Sequence, residues 1–440
     1  VFISASSSNY LHPWQSPNIF NYMGSGAIIE GNKIITAAHL VSDTNLIEIQ
    51  KENDSKKYEA TVKYISHQAD LALLEVKDKS FFENTKPLAI NQNVNLKDEI
   101  TVLAYPFGSD TISTTKGFVS KVEYVNYIWS KKNLPAIQID VTTNLTNSGG
   151  AVVDAKGNLV GIPMMKLKDS NNVAYIIPSV IINTFLEDVK DEKVDGFFTT
   201  STLINYIENE NMKKYYSLEN GNGILVTSLD FNERNLKIND VILSINGKNI
   251  ANNGIIETTF GKINFNFEFH IKQIGEKVKL KVLRDKQIID VDYLIKNETP
   301  LINTEYSQEA RYVIFGGLVF TPLTNNYLAE IKNEASAIDM LFFNQKQKEY
   351  NLTEPIIWME TIFSHKVNKG YSSGFYILES VNDIKVKNFK HLVEILDTTT
   401  SEYIVFSFLQ NKKVIINKKE AIESFKDIQK IYGLKSDRKV

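Results

Sequence analysis

The sequence predicts a mainly β protein, with a β-barrel or sandwich domain at its start and two similar small α/β modules after it. Between Gly24 and Pro178, short apolar or alternating runs are separated by Gly, Asn, Asp and Ser, as in GAIIEG, KIITAAHLV and DLALLEV. Many short strands with turns between them are typical of an all-β domain. The 440 residues exceed one ordinary core, and this length points to about three domains.

A helical segment closes the first domain. The stretch SVIINTFLEDVKD, residues 179–191, follows Pro178 and has apolar residues at helical spacing. We therefore expect the first domain to span residues 1–192.

The rest of the chain contains an internal similarity. The segment VILSINGKNI (241–250) reappears as ILESVNDIKV (377–386), and six positions keep their apolar or Asn/Ser character. Asn246-Gly247 in the first copy predicts a tight turn of type I′. We expect one module at 193–300 and a second at 326–440. The apolar segment 301–325, which carries Gly316-Gly317, is predicted to be a connector between them that forms a packed strand or an interdomain plug rather than a solvated linker.

Composition excludes several kinds of function. The net charge is −3 and no block of Lys or Arg stands out, which argues against a nucleic-acid surface or a polybasic membrane anchor. The chain has no Cys, six scattered His, no HExxH and no GxxxxGK motif, so we expect no metal and no cofactor. No run of about 18 apolar residues is present to span a bilayer.

The first residues, VFISASSSNYLHPW, lack the design of a signal peptide, and the sequence begins with Val1 rather than Met. The absence of Cys fits an exported protein and a cytosolic one equally well. The compartment therefore stays open: exported or periplasmic for a bacterial source, with any signal peptide removed.

Three residues in the first domain have the chemistry of a serine hydrolase. A hydroxyl needs a base to remove its proton, and the base needs an orienting carboxylate. His39 ends the run KIITAAH, Asp70 opens DLALLEV, and Ser148 lies in TNSGGAVV, between two predicted strands. Each residue alone is more often structural, as a core histidine, a strand-start aspartate or a turn serine. Their occurrence together, each at a strand end of one β-rich domain, predicts a catalytic triad.

Four segments then identify a family. GSGAIIEGNKIITAAHLV, HQADLALLEV, YPFGSDTISTTKGFVSKVE and IQIDVTTNLTNSGGAVVDAKGNLVGIP resemble, in this order and spacing, the protease domain of the HtrA/Deg family. LKINDVILSINGKNIANNG and YVIFGGLVFTPLT resemble the first PDZ domain and the following region of the plant Deg-type branch with two PDZ domains. The resemblance implies a chymotrypsin-like double β-barrel followed by two PDZ domains.

The family resemblance also implies roles for residues. His39 is expected to be the general base, Asp70 its orienting acid, and Ser148 the nucleophile that forms the acyl-enzyme. The oxyanion hole is expected at Thr146, Asn147 and Ser148, with backbone N–H groups as donors. The family has Gly where this chain has Thr146. A β-branched Thr resists positive φ, so we expect a site that is weak or needs activation.

The residues around the nucleophile bear on specificity. Trypsin-like pockets that select Lys or Arg carry an acid six residues before the nucleophile, whereas this chain has Thr142 there. The strand containing Ile162 and Met164 resembles a pocket wall, which predicts small or medium apolar side chains at P1, the substrate residue before the cleaved bond. The other interpretation is that Ile162 and Met164 are barrel core only.

Two further features concern partners. Gly223, Ile224 and Leu225, after Asn222, are the candidate loop that captures a peptide carboxylate in the first PDZ module. The second module lacks an obvious equivalent. Five aromatic residues near the start are either core or a subunit contact, and the family favours a contact within a homo-oligomer, a trimer or a multiple of trimers. They are Phe2, Tyr10, Trp14, Phe20 and Tyr22.

The sequence therefore predicts an ATP-independent serine endopeptidase that degrades unfolded or damaged proteins, with PDZ domains for substrate recruitment, regulation or oligomerisation. The alternative is a chaperone-like or peptide-binding scaffold whose protease site is dormant because of Thr146. A third possibility is a purely structural assembly protein.

Overall fold

The computed structural model describes residues 1–52, 54–106, 111–141, 148–166, 173–218, 221–230, 233–298, 300–332, 343, 345–347, 349–372, 374–409 and 411–440. The chain forms two compact units. The first contains Val1–Ala5 and Asn21–Glu298, and the second contains Ser6–Phe20 and Thr299–Val440.

The alternating runs of the first domain become two β-structures. The first is a seven-stranded sheet in the order β2-β1-β5-β6-β7-β4-β3. Its strands are β1 Phe2–Ser7, β2 Asn18–Met23, β3 Ala27–Ile29, β4 Lys33–Thr36, β5 Thr44–Ile49, β6 Tyr58–Ser66 and β7 Leu71–Val76. It also carries the helix Ala38–Val41 and the 3₁₀ turn Lys79–Phe82. We call this part the first barrel.

The second barrel is a closed six-stranded structure in the order β10-β13-β12-β11-β8-β9. Its strands are β8 Glu99–Ala104, β9 Ser113–Asn126, β10 Asn133–Val141, β11 Ala151–Asp154, β12 Leu159–Lys166 and β13 Val173–Pro178. The predicted closing helix is present as Ser179–Asp188, extended by the 3₁₀ turn Val189–Asp191. One buried apolar cluster joins the two barrels, with Ile35 and Leu71 from the first and Ile162 and Ile177 from the second. Burial of these side chains holds the barrels side by side.

The first module is built on a sheet with the order β14-β15-β16-β20-β21, to which β17 adds beside β16, and on the separate hairpin β18–β19. The strands are β14 Leu203–Tyr206, β15 Ile224–Ser228, β16 Val241–Ile245, β17 Lys248–Asn249, β18 Ile255–Thr258, β19 Gly261–Asn264, β20 Lys277–Arg284 and β21 Gln287–Leu294. Its helices are Glu210–Tyr215 and Phe267–His270. Asn246 and Gly247 both have positive φ, 46° and 80°, in the turn between β16 and β17, as the predicted type I′ turn requires.

The first module shares its core with the second barrel. Val122 and Tyr124 of β9 pack against the buried cluster of the module. The Tyr124 hydroxyl donates to Nδ1 of His270 at 2.8 Å, and Nε2 of His270 lies 3.2 Å from the Phe198 carbonyl oxygen. Burial lowers the pKa of His270 to about 4, so the ring is neutral at neutral pH. The hydrogen bonds and the shared apolar core fix this module to the protease part of the same unit.

The second module is an eight-stranded sheet in the order β28-β27-β25-β24-β23-β22-β29, with β26 beside β25. The strands are β22 Tyr312–Phe315, β23 Leu318–Pro322, β24 Ile356–Ile362, β25 Tyr376–Val381, β26 Ile384–Lys385, β27 Tyr403–Phe408, β28 Lys413–Asn417 and β29 Arg438–Lys439. The helices are Asn325–Glu330, Phe389–Thr398 and Lys418–Tyr432, with a 3₁₀ turn at Lys366–Asn368.

The segment 301–325 contains packed strands, one of the two predicted possibilities, but these strands are part of the second module rather than of a connector. They are β22 and β23, two neighbouring strands inside the sheet of that module. Gly316 and Gly317 have φ of 56° and 82° and form the turn between these strands. The segment is apolar because every residue of both strands is buried, whichever face of the sheet its side chain is on.

The aromatic residues near the start divide between two environments. Tyr10 and Trp14 join the core of the second unit, where Trp14 lies 4.9 Å from the Phe363 ring between centroids. Phe20 is 49% exposed, and the Tyr22 hydroxyl donates to the Leu40 carbonyl oxygen at 2.9 Å. The Phe2 ring lies 3.8 Å beneath Nζ of Lys57. For Tyr10 and Trp14, the structure shows the core interpretation.

Candidate active site

His39 and Asp70 meet at one end of the first barrel. His39 lies on the short helix that follows β4, and Asp70 immediately precedes β7, the strand that pairs with β4. Nδ1 of His39 lies 2.8 Å from Oδ2 and 3.0 Å from Oδ1 of Asp70. Because the carboxylate accepts, Nδ1 donates, and Nε2 is left to accept a proton. This is the orientation that a general base requires.

The Asp70 residue also holds the backbone around His39. Oδ1 accepts from the His39 backbone N–H at 2.8 Å, and the Asp70 carbonyl oxygen accepts from the Ala38 N–H at 3.1 Å. Asp70 has a φ of 56°, a left-handed conformation that Asp tolerates better than most residues. The carboxylate is 1% exposed, so it accepts these hydrogen bonds in a site that excludes bulk water.

A second histidine lies close to Asp70. Nδ1 of His67 is 3.2 Å from the Ser42 hydroxyl. Burial lowers the pKa of His67 to about 4, although the charge of Asp70 acts in the opposite direction. His67 is therefore neutral at neutral pH, and it adds no positive charge beside Asp70.

Ser148 begins a glycine turn that leads into β11. Its carbonyl oxygen accepts from the Ser25 backbone N–H at 3.0 Å. The Ser25 carbonyl oxygen in turn accepts from the Thr36 hydroxyl at 2.7 Å, and Ser25 Oγ accepts from the Tyr105 N–H at 2.8 Å. Ser25 thus fixes the Ser148 turn to the first barrel, a contact that sequence reasoning missed.

Gly149 shows why this turn needs glycine. Its φ is 78°, and a Cβ at this position would lie 2.3 Å from the Ser25 carbonyl oxygen and 2.4 Å from the Thr36 hydroxyl oxygen. Both distances are far below a normal contact, so any side chain would push the turn away from Ser25. Within the described part of the chain, no hydrogen bond joins the Ser148 hydroxyl to the His39 ring. Such catalytic hydrogen bonds often form only when substrate binds.

The other predicted site residues have different outcomes. Thr142, Thr146 and Asn147 lie outside the described residues. Ile162 and Met164 are 0% and 5% exposed and belong to the apolar cluster between the barrels. For these two residues the structure shows the barrel-core interpretation.

The predicted peptide-binding loop at Gly223, Ile224 and Leu225 has no free backbone edge. Ile224 and Leu225 lie on β15, which pairs with β14 on one side and with β16 on the other. The Gly223 N–H donates to Oδ1 of Asn252 at 3.1 Å. A peptide that adds as an extra strand needs an unpaired edge, and among the described strands of this sheet the edge on that side is β14. The prediction for these three residues is therefore corrected.

Comparisons with known proteins agree with this geometry. Residues 24–162 match the trypsin-like peptidase domain, and residues 302–439 match the PDZ domain. The chain is 32% identical to Protease Do-like 4, mitochondrial, of Arabidopsis thaliana, over 98% of this chain and 83% of that protein. It is 26% identical to the serine protease DegP homolog of Plasmodium falciparum, over 100% of this chain and 67% of that protein.

A solved structure supports the fold. The HtrA-type protease AlgW with tripeptide aligns with a TM-score of 0.51 and 19% identity, over 68% of this chain and 94% of that chain. Fold and relatives together define a trypsin-like serine endopeptidase that carries a PDZ domain. The chain belongs to the HtrA/Deg family of proteases, among which the plant Do-like proteases are relatives over nearly its whole length. Among the described helices, none combines the length and the apolar character that spanning a bilayer requires.

Proposed function

We propose that this protease cleaves unfolded or damaged proteins through an acyl-enzyme on Ser148. In this mechanism His39 removes the Ser148 proton as the hydroxyl oxygen attacks the substrate carbonyl carbon. His39 then gives that proton to the departing amine, and water, activated by His39, releases the acyl group. Asp70 keeps Nδ1 protonated and stabilises the imidazolium. The observation that carries the proposal is the buried Asp70 carboxylate held 2.8 Å from Nδ1 of His39.

The reaction as proposed consumes water and no nucleotide. The PDZ modules recruit substrate, regulate the protease or mediate assembly into a homo-oligomer of three subunits or a multiple of three. The absence of an acid at Thr142 argues against Lys or Arg at P1. Small or medium apolar residues at P1 remain part of the proposal, without support from Ile162 and Met164, which are core residues.

The test is incubation of the chain with casein, an unfolded substrate, without ATP and beside the Ser148→Ala variant. We expect fragments from the wild-type chain and none from the variant. Mass spectrometry of the fragments gives the P1 residues directly. No cleavage by either form, across temperatures and with peptide activators, would favour the chaperone-like scaffold with a dormant site.

The second part of the proposal concerns the oxyanion hole. Thr146 stands where the family has Gly, and the backbone N–H at this position is expected to bind the oxyanion. A β-branched side chain disfavours positive φ by about 1–2 kcal/mol, so the resting site is expected to be weak. Thr146→Gly should therefore raise the rate of peptide hydrolysis by up to roughly tenfold, and Thr143→Gly is the matched control. An unchanged or lower rate in Thr146→Gly would count against this part.

A further inference from the structure

The His39 ring is covered on one face by an aromatic side chain from the second barrel. The indole of Trp129 stacks on the imidazole, with ring centroids 4.4 Å apart and an angle of 12° between the planes. The His39 side chain is only 9% exposed, whereas Trp129 is 53% exposed. The indole therefore shields the candidate base while remaining at the protein surface itself.

Trp129 lies in the hydrogen-bonded loop of a β-hairpin. Residues 127–132 join β9 to β10, and the Tyr127 N–H donates to the Lys132 carbonyl oxygen at 2.9 Å. The Lys131 N–H donates back to the Tyr127 carbonyl oxygen at 2.8 Å. These two bonds close the loop and leave Trp129 near its tip.

The base of the hairpin is anchored in the core between the barrels. Tyr127 is fully buried, and its hydroxyl donates to the Pro135 carbonyl oxygen at 2.6 Å. Burial, together with the nearby charge of Asp70, raises the pKa of Tyr127 well above its ordinary value. The hairpin that carries Trp129 is thus anchored beside the same carboxylate that binds His39.

The stack is suited to the charge that catalysis creates. When His39 accepts the Ser148 proton, its ring becomes a cation, and a cation over an indole face is attracted by the ring quadrupole. The stacked arrangement covers the face of the imidazole and leaves its Nδ1 edge in contact with Asp70. An apolar side chain of similar bulk would provide cover without this attraction.

We propose that Trp129 is a positioning residue for the reaction: its indole holds the plane of the His39 ring and stabilises the imidazolium formed during catalysis. This inference rests on the proposed function of His39 as the general base. It assigns a role in the chemical step to a residue on the second barrel, 90 positions along the chain from His39.

The test compares Trp129→Phe with Trp129→Leu, because Phe keeps an aromatic face and Leu keeps only apolar bulk. The substrate is a fluorogenic peptide containing a casein bond that the wild-type chain cleaves. We expect Trp129→Leu to lower kcat about 5- to 20-fold with KM changed less than about twofold, and Trp129→Phe to stay within about threefold of wild type. Ile128→Ala, which truncates the neighbouring exposed side chain of the same loop, is the matched control and should leave both constants unchanged.

Two kinetic results would overturn the proposal. Equal kcat values for the Leu and Phe variants would show that only bulk matters at this position. A rise in kcat/KM on replacement by Leu would show that the indole obstructs the cleft. Thermal unfolding of each variant checks that differences in kcat do not follow from loss of folded protein.

A second readout does not depend on activity. In protein labelled with ¹³C at histidine Cε1, six resonances are expected, and His39→Gln assigns one of them. The signal followed is that of the proton bonded to the labelled Cε1, and a proton that lies over an indole face is shifted upfield. The His39 proton signal should therefore move downfield in Trp129→Leu and not in Ile128→Ala. An unmoved signal refutes the stack. A moved signal in a chain that cleaves nothing refutes the proposed function and leaves the contact in place, so the two failures are distinguishable.

Discussion

The two barrels contribute unequal halves of the active site. On the first barrel, Asp70 binds both the ring and the backbone of His39, so the acid–base pair is preformed. On the second barrel, Ser148 is held through its carbonyl oxygen by Ser25, while its hydroxyl has no hydrogen bond to His39 in the described structure. The base is therefore preformed at rest, whereas the nucleophile depends on the geometry of a glycine turn.

The largest effect is expected from a substitution in the first barrel's half of the active site. Asp70→Asn keeps the shape of the side chain but favours the wrong tautomer of His39. In a serine protease this lowers kcat by about 10⁴-fold. Kinetics on the fluorogenic peptide measure the loss, and Asp290→Asn, which alters an exposed carboxylate on β21, serves as the control. A decrease in kcat of less than tenfold would mean that His39, as oriented by Asp70, is not the catalytic base.

The next effect is expected from a substitution in the second barrel's half of the active site, in the turn that begins at Ser148. Gly149→Ala places a methyl group against Ser25 and Thr36 at a positive φ, which costs roughly 3–5 kcal/mol in clash and backbone strain. Urea unfolding measures this cost. Gly157→Ala is a matched control, since Gly157 also has positive φ, 82°, but no atom within 4 Å of the position that the added methyl would take. It should lose only about 1 kcal/mol, and equal losses for both variants would remove the packing argument.

A smaller effect on the first barrel is a pH-dependent loss of stability at His67, the histidine near Asp70. Burial lowers the pKa of His67 to about 4 from an ordinary value of 6.5. Between pH 6.5 and 4, His67 is therefore protonated in the unfolded chain but not in the folded chain. The free energy of unfolding falls as the pH drops through this range. The full loss is about 3 kcal/mol. His67→Gln should make the fall in stability smaller by this amount, while the share from His270, whose pKa burial also lowers to about 4, remains. A slope equal to that of the wild-type chain would contradict the neutral His67 ring.

Much of this site was readable from the sequence, for physical reasons. His39 and Asp70 each lie at the end of an apolar run, and β4 and β7 are paired neighbours in the first barrel, so strand ends bring the two side chains together. Gly149 beside Ser148 signalled a turn. The stack of Trp129 on His39 could not be predicted, because it depends on a tertiary contact between barrels.

The modules show where apolar pattern alone misleads. The run around Gly316-Gly317 was predicted to be a packed strand or plug that connects the modules, but Gly-Gly is also a hairpin signal, and the run forms two buried strands of the second module itself. The glycine turn before β15 gave the expected peptide-binding loop, although β15 is paired on both edges. Neither a strand's position in its sheet nor the pairing of its edges is contained in its own apolar pattern.

Whether Ser148 is the nucleophile and His39 its base is tested most directly by covalent labelling with a fluorophosphonate, followed by peptide mapping in a mass spectrometer. The wild-type chain should carry one adduct, on Ser148, and His39→Ala should carry none, because the hydroxyl then has no base. An adduct on another serine, or labelling of Ser148 that persists at the same rate in His39→Ala, would contradict the account.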